Sequence, residues 1–337
     1  MRAWEIQEHF GLDALTLVDR EKPRPGPGQV RVRIRAASLN YRDLLTVEGS
    51  YNPKQPLPLV PLSDGSGEVT AVGPSVTRVA VGDRVAGAFN QAWVSGPPLR
   101  EHVGSSLGGP LDGLLSEQVV LDGEGLVRIP DHLSFEEGAC LPCAAVTAWN
   151  ALVEQGGLTA GQTVLVLGTG GVALFALQLA HALGARVIVT SSSDAKLERV
   201  RGLGATATVN YRTTPEWDRR VKELTDGVGV DHVLELGGAE TLPRSLRAVR
   251  MGGQVSLIGS LSGLEATLNL ALVFMRGVRL QGVLVGSREM FEAMNGVIAE
   301  HRLRPVIDRV FDFDEAPAAF AHLKGQSHLG KIVVRVD

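Results

Sequence analysis

Gly168, Gly170 and Ala173 stand in a G-x-G-x-x-A spacing, and residues of these types at this spacing can bind phosphate through the backbone. Gly168 lets the chain turn sharply, Gly170 lets a pyrophosphate approach the main chain, and the small Ala173 lets a following helix pack close to its strand. Thr169 lies between the glycines. Gly171 and Val172 open a helix whose first N–H groups and positive dipole end would point at an anion. The pattern alone is common, and its context gives it meaning: the apolar run VLVL from Val164 precedes it and an apolar stretch of about sixteen residues follows, which predicts strand, turn and helix. A membrane span competes, because no Asp, Glu, Lys or Arg occurs between Glu154 and Arg186. A bilayer core needs about 20 consecutive apolar helical residues. Here Gln162, the glycine turn, Gln178 and His181 interrupt the run, and a glycine-rich turn would leave backbone groups unsatisfied in lipid.

The elements that must position this turn are legible on both sides of it. QVRVRIRAAS, from Gln29, alternates Val30, Val32 and Ile34 with Arg31, Arg33 and Arg35, the period of a half-buried strand. GSGEVTAVG from Gly65, GDRVAGAF from Gly82 and LSEQVVLD from Leu115 follow as short strands between Pro and Gly clusters, which predicts a small β-barrel. The Gly- and Pro-rich residues 95–113 are expected to form a long exposed loop. After about Ser134 the rhythm becomes one of helices and buried strands in alternation. The strands are expected at Val164, Arg186 (RVIVT), Thr206 (TATVN), Val230 (VDHVLEL), Gly253 (GQVSLIG) and Arg279 (RLQGVLVG). Such alternation implies an α/β, doubly wound parallel sheet. Residues 287–337 end in GKIVVRV and are expected to return to the first domain as helices and a strand.

At 337 residues the chain is long enough for two domains. Its net charge of −4 supplies no basic field, so neither nucleic acid nor an acidic membrane is an expected partner. Glu5, Glu8 and His9 interrupt the segment where a signal peptide would need an apolar core, so a cytoplasmic location is the expectation. The only two cysteines, Cys140 and Cys143, exclude a disulfide framework and a four-cysteine zinc lobe. Their C-x-x-C spacing lacks the βαβ context of a thioredoxin-like redox motif.

With NYRDLL at Asn40, GSGEVTAVG at Gly65, VGDRV at Val81, LPCAAVTAWNAL at Leu141, GTGGVALFALQLA at Gly168, GVDHVLELGG at Gly229 and GKIVV at Gly330, the chain resembles the medium-chain dehydrogenase/reductase superfamily over essentially its whole length. The resemblance implies a GroES-like (chaperonin-10-like) β-barrel domain at 1–145 and 287–337, a Rossmann domain binding a nicotinamide cofactor at 146–286, and a catalytic cleft between them. Zinc-dependent members of the superfamily carry cysteine where this chain has Asn40, Gly-His-Glu where it has Leu62, Ser63 and Asp64, and cysteine near Cys143. A catalytic zinc needs three protein ligands, so no zinc is expected, and a metal assembled from Cys143, Asp64 and a loop histidine such as His102 is the weaker reading. In these replacements the chain is similar to the zinc-free, quinone-oxidoreductase-like branch. That likeness implies catalytic roles for Asn40, Tyr51 and Asp43, with Tyr41 either catalytic or simply packed. It also implies that Thr147, the turn at Gly237, Ile258, Gly259 and Val283 line the cofactor and that Lys331 reaches a phosphate.

The second Rossmann strand normally ends in an acid that accepts the ribose hydroxyls of NAD. Here it ends in Thr190, Ser191, Ser192 and Ser193. A carboxylate would repel a 2′-phosphate, whereas hydroxyls with Lys196, and Arg199 or Arg212, can bind one, with Tyr211 packing nearby. NADP is therefore expected in preference to NAD, with Asp194 capping the next helix. Without zinc, an aliphatic alkoxide lacks its Lewis acid. An enone or quinone yields a delocalised enolate that hydrogen-bond donors such as Asn40 and Tyr51 could stabilise. Hydride transfer from NADPH to a quinone or α,β-unsaturated carbonyl is thus the leading expectation. An alcohol dehydrogenase or carbonyl reductase, with or without metal, and an NADPH-binding protein with little turnover remain open. The segment RLQGVLVG is expected to pair across a two-fold axis in a homodimer.

Overall fold

Val30, Val32 and Ile34 are each no more than 2 % exposed, while the arginines between them reach the surface. The period-two pattern has folded as one buried face of an eleven-residue strand. In the computed structural model, which describes residues 1–336, the chain divides into two units: Met1–Val146 with Val285–Asp337, and Thr147–Leu284.

The first unit contains β1 (Arg2–Ile6), β2 (Leu15–Asp19), β3 (Gln29–Leu39), β4 (Asp64–Val72), β5 (Arg84–Gly87), β6 (Gln118–Asp122) and β7 (Leu126–Arg128). The second supplies β8 (Thr163–Leu167), β9 (Arg186–Ser191), β10 (Ala207–Asn210), β11 (Val230–Glu235), β12 (Val249–Leu257) and β13 (Arg279–Gly282). The tail returns β14 (Ile307–Asp312) and β15 (Lys331–Arg335) to the first unit.

In the first unit the sheet order is β14-β15-β3-β4-β5-β7, with β6 also on β3. Every pairing is antiparallel except β14 with β15, which the helix Ala316–Lys324 connects. Long β3 therefore has three partners: β4 along most of one edge, and on the other β6 at its start and β15 at its end. Its register with β4 slips twice. Gly67 lies between the slips, where a Cβ would fall 2.0 Å from the Arg33 carbonyl oxygen, so only glycine lets the strands approach. Phe311, Phe320, Ile332 and Val334 from the tail join Val32, Ile34, Leu62 and Leu115 in one buried cluster.

In the second unit the all-parallel sheet runs β10-β9-β8-β11-β12-β13. The strand order reverses between β8 and β11, the position where open α/β sheets bind ligands outside their carboxyl ends. All five residues of β8 are buried. The helix Gly171–Ala182 buries Leu174, Phe175, Leu177 and Leu179, each worth about 1.5–3 kcal/mol against leaving it in water. No helix among the described residues is long and apolar enough to cross a membrane.

Several expectations need correction. The 95–113 segment is only partly an exposed loop: it contains the short helix Arg100–Val103 and buries His102, Ser106 and Leu107. The helix after the glycine turn has 12 residues. β13 stops at Gly282, short of the RLQGVLVG run, and the tail contributes two strands. Ser193 caps the helix Asp194–Arg201, its hydroxyl accepting from the Lys196 N–H, while Asp194 is already helical.

Candidate functional site

In the second unit, β8 ends at Leu167 and the chain turns at Gly168, with φ +81°. The Gly168 N–H donates to the Thr190 carbonyl at 2.9 Å, tying the turn to the end of β9. Gly170 precedes the helix that Gly171 and Val172 begin, and no acidic residue lies in its first turn. A Cβ added at Gly168 or Gly170 would meet nothing within 4 Å. Open space, the N–H groups of a helix's first turn and no acid in that turn are what a pyrophosphate needs. The residues fit a dinucleotide.

Thr190 and Ser191 are buried at the end of β9. The Ser191 hydroxyl accepts from the Ser193 N–H and the Ser191 carbonyl from the Tyr211 N–H. Ser192 and Lys196 are half-buried beside them and Tyr211 is exposed. The Asp194 carboxylate accepts from the Asn210 side chain at 2.8 Å. At the end of β11, Glu235, fully buried, anchors the next turn. Its Oε1 accepts from the Gly237 and Gly238 N–H groups at 2.9 and 3.0 Å and from the Thr241 hydroxyl, and its Oε2 accepts from the Ser245 hydroxyl. The Glu235 carbonyl accepts from the N–H groups of Ile258 and Gly259. Val283 donates to the Leu257 carbonyl just beyond β13. The strands being parallel, these residues share the carboxyl edge of the sheet with the glycine turn. Thr147 is buried in the helical turn Val146–Trp149. Glu235 was not anticipated; its one signal was a charge within the apolar run VDHVLEL.

In the first unit, β3 ends at Leu39, and Asn40 follows it as the N-cap of the helix Tyr41–Val47. The Asn40 N–H donates to Asp43 Oδ2 at 2.8 Å, and Asp43 Oδ1 accepts from the Ser63 N–H. Asp43 has no exposed surface. The catalytic role expected for it is therefore corrected: it caps the helix and holds the loop at Ser63, and it cannot touch a substrate. Lys331 is also corrected. It is 3 % exposed, and its Nζ donates to the Leu39 carbonyl at 2.8 Å and to Asn40 Oδ1 at 2.5 Å, with Asp64 Oδ2 3.6 Å away. An ammonium so enclosed does not reach a cofactor phosphate.

Asn40 is half-buried, and its Nδ2 donates to the Ser63 hydroxyl at 3.3 Å. Asp64 accepts from the Ser63 hydroxyl and from the Cys143 N–H. Burial pushes the Asp64 carboxyl up and Lys331 opposes the push. Burial, then the charge of Asp64, pushes the Cys143 thiol well above its ordinary range; burial pushes Cys140 up to about 12. Tyr41 packs against the first unit's core. Tyr51, 53 % exposed, lies under the guanidinium of Arg42, 4.7 Å from its ring centroid. Arg42, unmarked by sequence reasoning, also donates to the carbonyls of Leu107, Gly108 and Gly109, and so ties the 95–113 segment to the helix behind Tyr51.

A zinc ion needs at least three nitrogen, sulfur or carboxylate donors at tetrahedral angles, with thiols ionised. Here Asn40 and Ser63 are poor donors, Asp64 Oδ2 lies 3.6 Å from Lys331 Nζ, and burial pushes the Cys143 thiol up. His102 accepts the Leu99 N–H at its Nδ1 and stacks on Trp93. Among the described residues no group of three or more His, Cys, Asp or Glu side chains could hold a metal ion. The arrangement does not fit zinc.

The profile of the alcohol dehydrogenase GroES-like domain matches residues 26–131, and that of the zinc-binding dehydrogenase matches residues 171–300. The chain belongs to the medium-chain dehydrogenase/reductase superfamily. It is 44 % identical to a zinc-type alcohol dehydrogenase-like protein of Schizosaccharomyces pombe, over 90 % of this chain and 89 % of that protein. It is 31 % identical to a quinone oxidoreductase-like protein 2 homolog of Nematostella vectensis, over 89 % and 79 %. The solved structure of an NAD-dependent alcohol dehydrogenase superposes with a TM-score of 0.92 at 37 % identity, covering 100 % of both chains. With the first unit's GroES-like domain and the second unit's Rossmann sheet, this superfamily member is a nicotinamide-dependent oxidoreductase.

Proposed function

We propose that the protein reduces a quinone or an α,β-unsaturated carbonyl with NADPH and without zinc. One observation carries the reading: where zinc-dependent relatives gather metal ligands, this chain has the buried ammonium of Lys331 between Asn40 and Asp64. An enone or quinone needs no Lewis acid, because the charge that reaches its oxygen is delocalised and hydrogen-bond donors suffice. When bound, the reduced nicotinamide supplies the hydride that adds to the substrate's electron-poor carbon. The Asn40 carboxamide and the Tyr51 hydroxyl are the donors for the substrate oxygen, and water returns the proton that completes the reduced product. Asp43 keeps Asn40 at the helix start, and Arg42 holds the Tyr51 ring.

The second unit's carboxyl edge holds the cofactor in this reading: Gly168, Thr169, Gly170, Gly171 and Val172 at the pyrophosphate, Thr190, Ser191, Ser192, Lys196 and Tyr211 at the adenosine end, and Gly237, Ile258, Gly259, Val283 and Thr147 towards the nicotinamide. Preference for NADP rests on the hydroxyl-rich end of β9, whose nearest acid, Asp194, is engaged by Asn210. A second reading, alcohol dehydrogenase, draws on the descriptions of the Schizosaccharomyces pombe relative and the NAD-dependent structure.

Elemental analysis of the purified protein, beside stopped-flow NADPH oxidation over a panel of small quinones and enones, tests the proposal. Substoichiometric zinc with NADPH-dependent turnover is the expected result. One tightly held zinc per chain, with alcohol oxidation lost to a chelator, would overturn it in favour of the second reading.

We further infer a homodimer. β13 is an edge strand, and Leu261, Leu264, Leu270, Phe274 and Met275, near it in sequence, are exposed apolar side chains of the kind that an interface would cover. Cys140 and Cys143 form no disulfide, which suits the reducing cytoplasm.

A further inference from the structure

We propose that the second unit carries a binding site for a small polyphosphate anion, in the cleft between the helices Trp217–Glu223 and Leu242–Ala248, with Arg244 and Arg247 as its principal ligands. The site is built from residues that the proposed reduction does not use, and it stands whether or not that reduction is correct.

The cleft has a volume of about 470 Å³ and is lined by Glu216, Asp218, Arg219, Lys222, Arg244 and Arg247. At about 30 Å³ for each water in the liquid, that is room for roughly sixteen waters, more than a single phosphate group fills. Four cations meet two carboxylates there, an excess of two positive charges in a chain whose net charge is −4. Three of the four are arginines, which do not lose their proton in proteins.

Asp218 organises two of them. It is 4 % exposed, and its Oδ1 accepts from Arg244 Nη1 at 2.9 Å and its Oδ2 from Arg247 Nε at 2.6 Å. Burial would push its carboxyl up, but the two arginines hold it below its ordinary value. It is therefore ionised, and it fixes each guanidinium through one N–H. Arg244 Nε and Nη2, and Arg247 Nη1 and Nη2, have no hydrogen-bond partner among the described residues, and the two side chains remain 35 % and 45 % exposed. Rigid guanidinium forks with donors to spare match phosphate oxygens two at a time. Because Asp218 already holds both side chains, a ligand meets them without the cost of ordering two flexible chains.

The remaining charges leave the excess in place. Glu216 accepts from Arg219 at 2.9 Å, both of them in solvent. Lys222 donates to the carbonyls of Val228 and Val249 at 2.6 and 3.5 Å, and Arg276 donates to those of Leu246 and Val249. Burial, then the charge of Arg276, holds the Lys222 ammonium below its ordinary value. These two cations face carbonyl oxygens and each other, and an anion in the cleft would relieve that repulsion. A monocarboxylate satisfies one fork, whereas a chain of two or three phosphates spans both and carries the charge to match the excess.

Isothermal titration calorimetry with inorganic pyrophosphate tests the site, in the wild-type chain and in Gly170→Val, where the glycine turn is closed to the probe. Saturable binding of pyrophosphate that survives Gly170→Val is expected. Arg244→Gln with Arg247→Gln should weaken it at least about tenfold in that background, since several charge-assisted hydrogen bonds are lost. Lys22→Gln with Arg24→Gln, which removes two exposed charges from the first unit, should change it less than about twofold. Inorganic phosphate should bind at least about fivefold more weakly than pyrophosphate. Binding that vanishes in Gly170→Val, equal weakening by the two double exchanges, or phosphate binding as tight as pyrophosphate would each overturn the proposal. Uridine diphosphate distinguishes the sources: affinity equal to that of pyrophosphate assigns the site to inorganic polyphosphate, tighter binding assigns it to a nucleoside polyphosphate, and both uphold it. Thermal melting checks the fold of each variant. If the arginine exchange does not fold, adding Asp218→Asn removes the buried carboxylate with its partners, and the same tenfold weakening then decides the matter.

Discussion

Gly168 and Gly170 stand two residues apart, and a side chain would harm them differently. Gly168 has φ +81°, so Gly168→Ala should cost about 1–2 kcal/mol of stability through backbone conformation alone. Gly170 has φ −80° with open space beyond it. Gly170→Val should therefore melt within about 2 °C of wild type yet bind NADPH at least about tenfold more weakly, because its side chain fills the room a pyrophosphate needs; undiminished binding in a fluorescence titration would remove the cradle. The thiols make a second case. Burial raises Cys140 and Cys143 alike, leaving little thiolate at pH 8, so a disulfide reagent should label native protein orders of magnitude more slowly than unfolded protein. The glycines were legible in the sequence because their constraint is local. Lys331 was singled out but its contacts were not, because Asn40 and Asp64 lie some 270–290 residues earlier in the chain, and pattern carries no information about such a meeting.

At the scale of elements, the helices Trp217–Glu223 and Leu242–Ala248 are joined by one carboxylate. Asp218, 4 % exposed, accepts from Arg244 at 2.9 Å and Arg247 at 2.6 Å. Burial alone would push its carboxyl up, but the two arginines outweigh that and hold it below its ordinary value. A depressed carboxylate contributes stability that is complete above the unfolded value near 4 and lost as pH falls through the lower folded value. Asp218→Asn should thus destabilise by about 1–3 kcal/mol at pH 7, with the difference from wild type shrinking towards pH 3. A gap independent of pH in urea melts would rule out this role. Long periodic elements, β3 and β8 above all, were readable because burial of one face or of both imposes a pattern. The β1–β2 hairpin was not, since each strand is five residues long and β1 mixes Arg2 and Glu5 with its apolar residues. The 95–113 segment looked like loop from its glycines and prolines, which mark turns but do not say whether a turn is buried.

At the scale of the whole molecule, the proposed dimer is open to direct test. Leu264 and Phe274 are 89 % and 69 % exposed, so changing both to serine should leave each chain folded. Light scattering at micromolar concentration is expected to give a dimer for wild type and a shift towards monomer for the Leu264→Ser/Phe274→Ser protein; a monomeric wild type would end the proposal. A further consequence follows from β15. This strand lies between β14 and β3 in its sheet and carries Lys331, yet it is synthesised after every other described strand. The second unit is one uninterrupted stretch of chain and can close while the ribosome is still working. The first cannot: until residues 331–335 emerge, its sheet has a gap beside β3, and Asn40 and Asp64 wait without their cation. A chain lacking residues 331–335 would therefore leave Asn40 and Asp64 without Lys331 while the second unit keeps its own stretch of sequence whole.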